Sequence, residues 1–218
     1  MKNLVWFRND LRLHDNPALS QACAKADQVV GIYIVTFKQW EEHNDSPNKI
    51  AFWFRSLIEL QKDLHKLNIP LCILKCDTYD DCPQKILEFA SANEIHNLYF
   101  NIEYPVNELK RDEQVQAVLE KMGTSCFSFH DQVIHVPGTL KTKAGTNFSV
   151  YSPFKRCWLA ELDYALLEEH AIPTIKQPVS VNQQDEYDLH SYKQSNINQD
   201  LWPVGEESIQ KMLSLIHI

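Results

Sequence analysis

A net charge of −8 over 218 residues makes this chain a poor candidate for a main nucleic-acid surface, which would need a basic patch, although local basic patches are compatible with it. An apolar share of 44% is ordinary for a globular protein with a real core, and the length suits one large domain or one domain plus a fragment of another. Only four apolar positions, Leu4 to Phe7, precede Arg8 and Asp10, so no ordinary secretory signal is expected, and no apolar run approaches the roughly 18 residues of a membrane helix.

In chain order, Leu4-Val5-Trp6-Phe7 is too short for a helix and suits a buried strand. The charged or titratable residues Arg8, Asp10, Arg12, His14 and Asp15 follow, and Asn16-Pro17 then pairs an N-cap residue with a proline at the first helical position. That helix is predicted over about Pro17 to Lys25. A strand running into charges and then a helix start is where an open α/β sheet places its ligand crevice. The plainer reading is that the charges pair around a turn. Of the two, an ion-pair network of Arg8, Asp10, Arg12 and Asp15 that fixes the sheet edge is preferred.

The continuous β-branched run Val29 to Val35 reads as a central strand covered on both faces. A polar loop with Lys38, Gln39, Trp40, His43 and Asn44 precedes a long helix opened by Ser46-Pro47. Its stripe of Ile50, Trp53, Phe54, Leu57, Leu60, Leu64 and Leu67 has helical spacing and reads as core. Pro70 to Leu74 is the third strand, Pro83 to Ala92 a helix with Ile86, Leu87 and Ala90 inward, and His96 to Phe100 the fourth strand. A helix from about Val106 to Met122 is stopped by Gly123, and Cys126 to Phe129 is an alternating fifth strand near an edge.

Repeated β-α units of this length force parallel strands with right-handed crossovers. The predicted fold is therefore α/β, a three-layer Rossmann-like open parallel five-stranded sheet. From Gln132 to Tyr151 the rhythm breaks at Pro137-Gly138 and Ala144-Gly145, predicting loops and a hairpin, and Ser152-Pro153 restarts a helix through about Glu169. Pro173 to Asn198 is rich in proline, glutamine, asparagine and serine and reads as a linker wrapping over a surface or leaving it. Glu206-Glu207 then suit a helix first turn, with Ile209, Met212, Leu213 and Ile216 forming an apolar stripe. Such a stripe needs a partner surface, so a truncated protein is expected.

Cys23, Cys72, Cys76, Cys82, Cys126 and Cys157 form no C-x-x-C pair, and Cys72 and Cys76 would lie roughly 13 Å apart along a strand, too far for one zinc ion without a bend. Scattered free thiols in a reducing cytoplasm and no metal site are expected. None of the five glycines lies in the first strand-to-helix turn, which argues against a dinucleotide or P-loop site. The block Asn101 to Asp112 places Asn107 and Glu108 at a helix start after the fourth strand. They either compensate the helix terminus or offer an amide and a carboxylate to a flat heterocycle such as a pterin.

Trp6 to Leu19 fits W-F-R-x-D-L-R-x-x-D-N-x-A-L. The Lys38-Gln39-Trp40 to Ser46-Pro47 loop, the Asn101 to Asp112 block and Tyr151-Ser152-Pro153-Phe154 with Trp158 follow in order. Together they resemble the DNA photolyase/cryptochrome family, most nearly the N-terminal antenna-binding α/β domain of bacterial class I cyclobutane pyrimidine dimer photolyases of folate type. The match runs from about Leu4 to Glu169. The resemblance implies an antenna domain at 1–170, an interdomain linker at 171–200 and the start of a truncated helical FAD-binding domain at 201–218. It implies methenyltetrahydrofolate as antenna, held in part by Asn107 and Glu108.

In such a parent, light energy passes to reduced FAD, which donates an electron to a thymine dimer flipped out of the duplex. FAD and the groove for damaged DNA belong to the helical domain. No catalytic residue is therefore assigned to this chain, and the fragment alone is expected to be inactive, monomeric, cytoplasmic and off the membrane. The alternatives are a cryptochrome-type blue-light sensor without repair activity and a freestanding nucleotide- or flavin-binding module.

Overall fold

The computed structural model describes residues 1–163, 167, 169–182, 187–192, 196–208 and 211–212. Five parallel strands, β1 (Lys2–Trp6), β2 (Gln28–Thr36), β3 (Leu71–Cys76), β4 (Asn97–Asn101) and β5 (Ser125–Phe129), form one sheet in the order β3-β2-β1-β4-β5. The helices are α1 (Pro17–Lys25), α2 (Phe37–Glu42), α3 (Pro47–Lys66), α4 (Cys82–Ala92), α5 (Val106–Met122) and α6 (Tyr151–Ala160).

Alternation along each strand splits the core in two. Val5, Phe7, Val29, Tyr33 and Val35 pack with Leu19, Phe54, Leu57 and Leu64 of α1 and α3. Leu4, Trp6, Val30, Ile32, Leu98 and Phe100 pack with Ile86, Phe89, Val115 and Leu119 of α4 and α5. The predicted three-layer α/β sheet is thus present, with β5 at the edge.

Local chemistry sets the helix ends as predicted. Asn16 Oδ1 accepts the Leu19 N–H to cap α1, Ser46 Oγ accepts the Lys49 N–H to cap α3, and Gly123 closes α5 at a left-handed φ of 90°. Gly31 is tightly confined, because a Cβ there would sit 3.0 Å from Leu71 Cδ1 and 3.1 Å from Phe7 Cε2.

Four expectations change. The polar loop after β2 holds the short helix α2, whose Trp40 is buried between Phe37, Trp53 and Phe54. Between residues 132 and 150 no strand forms; the Thr142 N–H to Thr146 carbonyl bond makes a tight turn without flanking ladders. Helix α6 ends at Ala160 rather than near Glu169. It buries none of its residues, and helices draw most of their stability from a packed face. Finally, the thiols are not all scattered, since Cys76 Sγ and Cys82 Sγ lie 3.6 Å apart.

The segment after α6 wraps over the domain. Lys176 and Gln177 N–H groups donate to the Leu67 and Asp27 carbonyls, Asn182 exchanges hydrogen bonds with Asn93, and Tyr187 N–H donates to the Ile73 carbonyl. A helical turn begins at Glu206, whereas Ile209, Leu213 and Ile216 of the expected stripe lie outside the described residues, as does Leu166. Among the described residues no helix is long and apolar enough to cross a membrane.

Candidate functional site

Strand order reverses about β1: the chain moves outward through β2 and β3, then returns to place β4 on the other side. Connections leaving β1 and β4 therefore diverge, and the crevice at their C-terminal ends is the sheet's natural ligand site. The charged opening stretch and the Asn101 to Asp112 block, separate in sequence, meet here.

Asn101 ends β4 and is the hub. Its Oδ1 accepts the Ala18 N–H at 3.1 Å, and its Nδ2 donates to Asp10 Oδ2 at 2.6 Å and to Asn16 Oδ1 at 2.9 Å. Its backbone carbonyl accepts Arg8 Nη2. Asp10 Oδ1 accepts the Arg8 backbone N–H at 2.7 Å. Burial raises the Asp10 pKa above its ordinary value, against the pull of Arg8 and these hydrogen bonds.

Around the hub the charges pair across elements rather than around a turn. Arg8 lies 3.8 Å from Glu103 and 3.5 Å from Asp112. Arg111 donates to Glu103 Oε2 at 2.8 Å and to Asp112 Oδ1 at 2.8 Å and 2.9 Å. Burial works against the Arg111 charge, but Asp112 and Glu103 outweigh it and its pKa is raised. The Trp6 ring takes Arg8 at 4.5 Å and Arg111 at 4.7 Å from its centroid, a geometry favourable for cation–π attraction. Further out, Arg12 grips both oxygens of Asp131 beyond β5, and Asp15 exchanges hydrogen bonds with the His170 backbone. Arg8 and Arg12 are thus ion-paired at this edge, but with Glu103 in the loop after β4, Asp112 of α5 and Asp131 beyond β5 rather than with Asp10 and Asp15, which are held by hydrogen bonds.

These side chains nearly fill the crevice. Trp6, Arg8, Tyr33, Tyr79, Glu103 and Arg111 line a free volume of about 50 Å³. That is room for one or two waters and well below the roughly 300 Å³ at which small-molecule pockets begin. Arg8, which lines this space, leaves Nε and Nη1 without a hydrogen bond within the protein, so water is the fitting occupant.

Asn107 and Glu108 occupy the second and third positions of α5, outside the lining of this crevice, and Glu108 is joined to it through Tyr79, which lines it. Neither caps the helix, whose N-cap is Pro105. Asn107 is exposed and Glu108 half-buried, with Glu108 Oε1 accepting the Tyr79 hydroxyl at 3.3 Å. Tyr79 in turn lies 4.7 Å from the Arg111 guanidinium, tying the start of α5 to the buried network. Sequence reasoning missed Tyr79, Tyr33 and Cys82. For Tyr79 the available signal was its place just beyond the C-terminal end of β3.

Comparison with known proteins agrees with this architecture. The DNA photolyase family model matches residues 3–177. A deoxyribodipyrimidine photo-lyase from Buchnera aphidicola is 34% identical over 217 residues, covering 97% of this chain and 44% of that relative. A bacterial class III photolyase from Agrobacterium tumefaciens superposes with a TM-score of 0.83 at 24% identity, over 97% of this chain and 43% of that structure. An archaeal photolyase from Sulfolobus tokodaii, solved with two FAD molecules, gives 0.58 at 25% identity, over 65% of this chain and 32% of its own. The chain thus spans less than half the length of these relatives. Taken with the signature residues converging at the β1–β4 edge, the match over residues 3–177 establishes that this chain belongs to the DNA photolyase family.

Proposed function

We propose that this chain supplies the light-harvesting side of a deoxyribodipyrimidine photolyase, an enzyme that uses light to split cyclobutane pyrimidine dimers in DNA. Its antenna chromophore is methenyltetrahydrofolate, seated at the start of α5. The observation that carries the reading is the exposed Asn107 and half-buried Glu108 at the start of α5, linked through Tyr79 to a crevice that its own side chains nearly fill. An amide offers a donor and an acceptor, and a carboxylate offers acceptors only. That combination fits the amino-pyrimidinone edge of a pterin. When bound, the folate supplies near-UV and blue absorption. Glu108 and Asn107 would hold that pterin edge, and the Tyr79 hydroxyl, which donates to Glu108 Oε1, would steady the carboxylate for it.

The crevice at the reversal of strand order is the other natural seat for an antenna. The Sulfolobus tokodaii photolyase, solved with two FAD molecules and described as implying a novel light-harvesting cofactor, makes a flavin the occupant to weigh there. In this chain an isoalloxazine there would have to displace the Arg8–Glu103–Arg111 pairs from about 50 Å³ of free space. The start of α5 is therefore favoured. In the same proposal residues 1–170 are the antenna domain, 171–200 the linker and 201–218 the start of a helical domain carrying FAD and the groove for damaged DNA. The 218-residue chain alone is then a cytoplasmic monomer that lacks repair activity.

Titration of the purified chain with methenyltetrahydrofolate, followed by chromophore absorbance and fluorescence, tests this. Weak, saturable binding without flavin absorbance is expected. Stoichiometric co-purifying flavin, or no saturable folate binding, would contradict it.

A further inference from the structure

We infer that Cys76 and Cys82 form a redox-modification site, a dithiol that closes reversibly to a disulfide. Cys76 ends β3 and Cys82 opens α4, and their sulfurs lie 3.6 Å apart. The loop between them is built to return the chain. Asp81 Oδ2 accepts both the Thr78 N–H and the Thr78 hydroxyl at 2.8 Å, fixing the single turn Tyr79–Asp81. Both thiols point at the Thr78 carbonyl, at 3.4 Å from Cys76 and 3.7 Å from Cys82. A disulfide bond is about 2.05 Å long, so closure asks the sulfurs to approach by about 1.5 Å.

Exposure divides the roles. Cys76 is half-buried and can meet a small oxidant, whereas Cys82 is 1% exposed and can act only from within. With glutathione disulfide as oxidant, Cys76 loses its proton to solvent and attacks one glutathione sulfur, and the first glutathione leaves as thiolate. Cys82 then loses its proton and attacks the Cys76 sulfur of the mixed disulfide, and the second glutathione leaves. Two protein thiols are oxidised and one glutathione disulfide is reduced to two thiols. The hydrogen bond with Cys82 and burial both raise the Cys76 pKa, so Cys76 rests as the thiol.

The closed ring would contain Tyr79, the residue that steadies Glu108 and lies over Arg111. The consequence for the start of α5 rests on the folate reading above, but closure itself does not, and its failure would leave that reading intact.

Trypsin releases both cysteines on one peptide, Cys76 to Lys85, with Cys72 on another. The native chain is incubated with glutathione disulfide, acid-quenched, alkylated in denaturant, digested and weighed. The expected result is a Cys76–Lys85 peptide two hydrogens lighter and unalkylated, restored to double alkylation by dithiothreitol. Unfolding the chain in urea first should lower the ratio of closed peptide to glutathione adduct by about tenfold, because the fold supplies the proximity. Cys82→Ser should trap glutathione on Cys76. A doubly alkylated peptide after oxidation, or a persistent glutathione adduct on Cys76 of the unsubstituted chain, would overturn the proposal even if the variant fails to fold.

Discussion

Asp10→Asn probes the switch-point network with a change of one atom type. The Asp10 carboxylate is buried, with Oδ1 on the Arg8 N–H and Oδ2 on Asn101 Nδ2. An amide keeps one acceptor and turns the other into a donor. In one orientation its NH₂ faces the Asn101 NH₂; in the other it faces the Arg8 N–H. Asn101 cannot turn to relieve this, because its oxygen holds the Ala18 N–H and its nitrogen holds the Asn16 oxygen that caps α1.

Losing a hydrogen bond to a charged group costs about 1.5–3 kcal/mol, and each buried donor left without an acceptor about 1–3 kcal/mol. Relief of the buried charge offsets part of this, leaving a net loss of about 2–4 kcal/mol, large beside a typical total of about 5–15 kcal/mol. Urea unfolding followed by far-UV circular dichroism should show a lower midpoint at unchanged slope. The raised Asp10 pKa means the folded protein holds that proton more tightly than the unfolded chain. Its stability contribution is present at low pH and lost as pH rises through the folded pKa, so the gap to the variant widens on acidification. Folate affinity should stay unchanged. A variant within about 0.5 kcal/mol of the parent, the scale of a neutral surface substitution, would refute the hub role.

Gly31→Ala should cost about 1–3 kcal/mol by overpacking Leu71 and Phe7, and an unchanged urea midpoint would contradict the close contact. At alkaline pH, burial pushes the Cys23 thiol from its ordinary 9.0 up to about 11, against the neighbouring Lys176 charge. The folded state then holds a proton that the unfolded chain releases, so stability should fall by about 2–3 kcal/mol as pH rises from 9 to about 11. Cys23→Ala should flatten that decline relative to the parent, and identical declines would refute the assignment. The purified chain should show no flavin absorbance, as read by its visible spectrum before and after acid release.

Much of the fold was legible because its signals are local. Asn16-Pro17, Ser46-Pro47 and Gly123 each satisfy a helix end with residues that adjoin it. Helix α2 was hidden because Thr36 offers no side-chain cap and its six residues are too few to show a period. Helix α6 sets Trp158 on His135 and Phe154 on Phe148 of the preceding loop and buries none of its residues, a tertiary circumstance that no local pattern reports. At the site, the charges of the opening stretch were visible, but their partners Glu103, Asp112 and Asp131 lie far along the chain. Pairing them requires knowing that β4 sits beside β1, and strand order is a global property. Asn107 and Glu108 came from a family resemblance, and Tyr79, which links them to the buried network, had only its place at a strand end to mark it.

The central claim, that the start of α5 holds the antenna, is tested most directly by the folate affinity of the Asn107→Ala, Glu108→Ala double variant beside the parent. Circular dichroism serves as the control for folding, since both side chains lie outside the core. Losing a neutral hydrogen bond and one to a carboxylate removes about 2–3 kcal/mol, so the dissociation constant for methenyltetrahydrofolate should rise by about 30- to 150-fold. A folded double variant that binds as tightly as the parent would contradict the claim.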